Sequence, residues 1–120
     1  MPAVVAIELP PFDTGQYEGC DLTLSNGNAV LGVHVTDLAP MAIHFSRVRW
    51  HQFTALPNCT EDMVRDAYFR VVEYSDSPAV ADFMRQDRAS KKAYRTLHHY
   101  RIFLDETGCH EVFAESAAAL

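Results

Sequence analysis

Residues 97–116 read LHHYRIFLDETGCHEVFAES and carry three of the chain's six histidines (His34, His44, His51, His98, His99 and His110). Imidazole is the commonest nitrogen ligand of transition metals and the usual general base. The spacing, however, fits no ligand signature. There is no H-x-x-x-H on a helical pattern and no CxxC, so a metal site would have to be assembled across strands. Cys109 and His110 are adjacent, and adjacent residues of a strand point to opposite faces. They therefore make a poor nucleophile and base. Cys59, next to a predicted helix start, is the cysteine best placed to become a thiolate.

No G-x-S-x-G, phosphate-cradling glycine loop or dinucleotide fingerprint is present, and no cofactor is expected. The acidic pairs Glu61-Asp62 and Asp105-Glu106 read as helix-start and turn chemistry. The candidate binding residues are His98, His99, Arg101, His110 and Glu111 of the last segment, with Arg47 and Arg49. Together they would suit a sheet-lined His/Arg pocket for a small ligand.

Charge is polarised along the chain. Six basic residues (Arg85, Arg88, Lys91, Lys92, Arg95, Arg101) and one acid, Asp87, make residues 85–101 formally +5 within a chain of net charge −6. Tyr94 and Tyr100 interleave with these cations, as in a single-strand nucleic-acid groove. The global negative charge opposes polyanion binding, so this segment is expected to offset acids of the same molecule.

At 120 residues, 48% hydrophobic and 22% charged, the composition is that of one globular domain able to build its own core. Three unclustered cysteines do not form a disulfide framework and suggest a reducing, cytoplasmic setting. The first residues, MPAVVAIELPPFD, lack the basic leader of a signal peptide, and no apolar run is long enough for a membrane helix.

These residues must be positioned by strands. VVAIEL reads as a strand closed by Pro10-Pro11. In CDLTLSNGNAVLGVHVTD, Asn26-Gly27 supplies a type I′ turn, pairing Leu24 with Ala29 and Leu22 with Leu31. MAIHFSRVRWHQFT reads as a long strand whose apolar phase changes at Ser46-Arg47, as a β-bulge or partial cover on both faces would cause. Residues 58–74 suggest a helical turn near 60–65, opened by a capping box of Asn58 and Glu61, and then a strand at 67–74. Ser77 and Pro78 predict the N-cap and first residue of the principal helix, with Val80, Phe83 and Met84 facing inward. The last hairpin is expected to turn at Glu106-Thr107-Gly108 and to pair Ile102 with Val112, Tyr100 with Ala114 and Leu104 with His110.

The expected fold is α+β: antiparallel hairpins in a sheet or incomplete sandwich, with one principal helix packed on it. The expected function is a small cytoplasmic binding protein without catalysis. It would meet another protein through its acidic surface or exposed strand edges, and a regulatory or toxin-neutralising role fits the size and charge. The rivals are a small-ligand enzyme or binding protein using the His/Arg pocket, and nucleic-acid binding through 85–101. No membrane association is expected.

Overall fold

Asn26 and Gly27 take φ of 52° and 77°, the two positive values that a type I′ turn demands. The turn joins β2 (Tyr17–Ser25) to β3 (Asn28–Val35) in the predicted register, Leu24 opposite Ala29 and Leu22 opposite Leu31. Ala29, Leu31, Val33 and Val35 are buried at alternate positions of β3. Leu24, beside the turn, remains exposed.

A computed structural model describes residues 2–86 and 96–120. They form two antiparallel sheets. One orders β1 (Ala3–Glu8), β6 (Arg70–Tyr74), β7 (His98–Leu104), β8 (Gly108–Ala114) and β5 (Trp50–Ala55) from edge to edge. The other orders β2, β3, β4 (Met41–Ser46) and β9 (Ser116–Ala119). Leu31, Val33, Ile43 and Phe45 of the second sheet share one core with Val71, Tyr100, Ile102, Leu104 and Val112 of the first.

The far face of the first sheet is covered by helices, with α1 (Glu61–Ala67) lying against β6 and β7. α2 (Pro78–Gln86) reaches the sheet through Phe83, 5.7 Å from Phe113. Residues 99–104 and all of β8 are consequently buried at consecutive positions. The mostly antiparallel expectation holds, and the described residues contain two α-helices, α1 and α2.

Three local expectations need correction. Residues 41–54 do not form one bulged strand. Arg47 adopts φ 53°, and the chain leaves β4 in one sheet to enter β5 in the other. The phase change marks a change of sheet, which alternation alone cannot distinguish from a bulge. Helix α1 is capped by Thr60, whose N–H reaches Met63 Sδ at 3.5 Å and whose hydroxyl donates to Asp62. Asn58 instead ends a 3₁₀ turn, Leu56–Asn58.

The last hairpin pairs Ile102 with His110, Tyr100 with Val112 and Leu104 with Gly108. Its register is two residues from the expected one, because the loop begins at Asp105 and Glu106 takes φ 66°. A two-residue slip leaves every side chain on its predicted face. Among the described residues no helix is long and apolar enough to cross a membrane.

Candidate functional site

The odd-numbered positions of β7 and β8 face α1 and α2. This places His99, Arg101 and Glu111 under the helices and brings Ser77 to them from the start of α2. Ser77 Oγ lies 2.8 Å from His99 Nδ1, and His99 Nε2 lies 2.7 Å from Glu111 Oε2. Ser77, His99, Arg101 and Glu111 are all at least nine-tenths buried. Glu111 also accepts from Arg101 Nη2 at 3.3 Å. Arg101 Nη1 donates to Tyr74 Oη at 2.9 Å, and that hydroxyl donates to Asp66 at 3.1 Å. The guanidinium lies over the Tyr74 ring, 4.7 Å from its centroid.

Burial alone would raise the pKa of Glu111, but the His99 hydrogen bond and the Arg101 charge outweigh it and hold the carboxyl below its usual value. An ionised carboxylate only accepts hydrogen bonds, so His99 Nε2 carries a proton. The other ring nitrogen, Nδ1, is the one that faces the Ser77 hydroxyl. Ser77 Oγ in turn accepts from the Val80 N–H at 3.3 Å, capping α2. The bonded order is Ser77, His99, Glu111.

A cleft of about 350 Å³ opens beside this chain of bonds, lined by Glu73, Ser77, Val80, Met84, His98 and His99. His98, on the opposite face of β7 from His99, bonds Glu73 through Nδ1 at 2.9 Å.

His110 is not part of this group. It points between the sheets, with Nδ1 3.1 Å from His51 Nε2 and Nε2 3.7 Å from Cys20 Sγ. Burial, with some help from His51, pushes its pKa down to about 4. Cys20 lies on the far side of the same ring and its thiol pKa is raised, mainly by burial. The three groups are strung along the two nitrogens of one imidazole rather than converging on a point. Among the described residues no group of three or more His, Cys, Asp or Glu is arranged to hold a metal ion.

Arg47 and Arg49 lie elsewhere again, at the crossover between sheets. Arg47 Nη1 is 3.6 Å from Glu115, and the Arg49 N–H donates to the Phe113 carbonyl. The predicted candidates thus separate into three places. Cys59 is not activated: burial raises its pKa, and its thiol donates to the Thr54 carbonyl at 3.4 Å. Of the basic segment, Arg85 pairs with Asp82 and Arg101 is buried against Glu111. Arg88, Lys91, Lys92 and Arg95 lie outside the described residues.

A second feature sits at the opposite end of the sheets. Ile7, Leu9, Pro10, Leu38, Met41 and Leu120 line an apolar cleft, also of about 350 Å³. It adjoins β1, an edge strand on which Val4 and Val5 are 62% and 41% exposed.

No family model, curated protein or solved structure matches this chain. The geometry therefore carries the functional argument alone.

Sequence reading selected His99, Arg101 and Glu111 but not Ser77 as their partner, nor Tyr74 and Asp66. Ser77 was legible only as a helix cap. Its second hydrogen bond crosses 22 residues of sequence, and no local pattern encodes that contact.

Proposed function

We propose that the protein is a binding module for another protein, engaged along β1 and the adjoining apolar cleft. The carrying observation is a charge asymmetry. Residues 1–46 contain five acids (Glu8, Asp13, Glu18, Asp21 and Asp37) and no lysine or arginine. These residues build β1 to β4 and all of the cleft lining except Ala119 and Leu120.

An edge strand presents unpaired backbone donors and acceptors, which an extended segment can complete. The cleft would take that segment's apolar side chains. Glu8 lies in the lining, and Asp37 immediately precedes Leu38. The occupant that fits is an extended apolar segment flanked by lysine or arginine, carried by a different protein. Acidic surroundings would also speed its approach at low ionic strength.

Panning a random peptide library on the immobilised protein tests this reading. The enriched sequences should alternate apolar residues with Lys or Arg. Their binding should weaken at least tenfold in the double variant Glu8→Lys, Asp37→Lys and should fall as salt rises. Enrichment of peptides without basic residues, or affinities indifferent to the double reversal, would remove the proposal. So would self-association of the protein through β1 in solution.

A further inference from the structure

We infer that Ser77 is a nucleophile served by His99 and Glu111, and that the protein cleaves small carboxylic esters in the cleft beside α2. This activity is separate from the proposed binding surface and departs from the expectation of a domain without catalysis.

Three observations support it. The hydrogen-bonded order is that of a nucleophile, its base and an orienting carboxylate, with both heavy-atom distances below 3 Å. Glu111 accepts from His99 Nε2, which orients the ring and presents Nδ1 to the Ser77 hydroxyl. Either ring nitrogen can serve as the base; what matters is that the other is held by a carboxylate. Second, Ser77 stands at a sharp strand-to-helix junction. β6 ends at Tyr74, Asp76 takes φ 53°, and Ser77 caps α2. Such a junction lifts a nucleophile off the end of a sheet. An oxyanion formed there would meet the N-terminal dipole of α2 rather than a ready pair of donors, since Pro78 carries no N–H and the Val80 N–H is held by Ser77 Oγ. Third, among the described residues Ser77 and His99 both line the cleft, whose apolar side is Val80, Ala81, Met84 and Leu97. A volume of about 350 Å³ suits a small ester, whose acyl group would lie against that apolar side while Glu73, Asp76 and His98 form the polar side of the cleft.

The reaction is balanced without any further reagent. Ser77 Oγ bonds to the ester carbonyl carbon as its proton passes to His99 Nδ1. The tetrahedral intermediate collapses, the carbon–oxygen bond to the alcohol breaks, and His99 returns the proton to the departing alkoxide. Water, deprotonated by His99, then attacks the acyl-serine. Carboxylic acid leaves and the Ser77 hydroxyl is restored.

A fluorophosphonate probe and a short-chain nitrophenyl ester test the inference. Intact mass and peptide mapping should find one adduct, on Ser77, in the folded protein and none in urea. Ser77→Asn retains a capping side chain while removing the hydroxyl; it should lose both the adduct and the ester turnover above buffer. His99→Gln should slow labelling at least 100-fold, the usual scale of a lost general base, with its fold checked by near-ultraviolet circular dichroism. If that variant does not fold, the wild type and Ser77→Asn decide the matter alone. No adduct on Ser77 in the folded wild type would overturn the inference. Equal labelling in urea, or unchanged ester turnover in Ser77→Asn, would overturn it as well.

Discussion

Arg101 stands directly opposite Glu111 in the β7–β8 ladder and places its guanidinium 3.3 Å from the Glu111 carboxylate, both side chains at most 10% exposed. Removing one partner leaves the other charge buried without its main counter-ion. Glu111→Leu or Arg101→Leu alone should therefore cost about 3–5 kcal/mol. The double variant should cost about 1–3 kcal/mol less than the sum. Urea unfolding of the four proteins measures the cycle, and additive losses would show that the pair is not coupled.

The hydrogen-bonded pair of Asp21 and His34 offers the opposite case. Its atoms are 2.6 Å apart, but its side chains are 65% and 45% exposed on the outer face of the second sheet. Asp21→Asn should change stability by only about 0.2–1 kcal/mol, and less at high salt. A short distance does not compensate for water on both sides.

His110 should give the protein a pH-dependent stability. Its pKa is about 4 in the folded state, against an ordinary value of 6.5. Between those values the unfolded chain binds the extra proton and the folded chain does not. Stability is then fully present above about pH 6.5 and declines as pH falls toward 4. The loss should be on the order of 2–3 kcal/mol. His51, also shifted down by burial, acts with the same sign. Denaturation midpoints at pH 7, 5.5 and 4.5 should fall in that order, and His110→Gln should flatten much of the slope.

Two positive-φ glycines should respond differently to a methyl group. At Gly27, φ 77°, an added Cβ meets nothing within 4 Å, so Gly27→Ala carries backbone strain alone, about 1 kcal/mol. At Gly108, φ 142°, the Cβ would lie 2.2 Å from the Thr54 carbonyl oxygen. Gly108→Ala adds the separation of β5 from β8 to the strain and should cost roughly 3 kcal/mol or more. Thermal melts should place Gly27→Ala near the wild type and Gly108→Ala far below it.

The sequence displayed faces more clearly than neighbours. Asn26-Gly27 set both the turn and the register of β2 with β3, because a two-residue loop leaves no freedom. The last hairpin slipped by two residues, yet His110 and Glu111 kept their predicted sides, since strand alternation survives an even shift. The 41–54 segment showed its phase change but not its meaning: leaving one sheet for another and bulging within one produce the same pattern. In the candidate site, His99, Arg101 and Glu111 share odd parity and were legible as one face. Ser77, Tyr74 and Asp66 come from other elements and meet them only through the strand order.

That strand order also governs how the chain must fold. β5 is completed by β8, whose residues lie more than fifty positions further on, and β4 gains its second partner, β9, only at residues 116–119. β1 likewise waits for β6. Among the described residues only the β2–β3–β4 and β7–β8 pairings are local, so much of the sheet closure carries the loop entropy of long-range contacts. Such topologies fold in milliseconds to seconds rather than microseconds. During synthesis Leu31, Val33, Ile43 and Phe45 lack their core partners Tyr100, Ile102, Leu104 and Val112 until residues 98–114 have emerged.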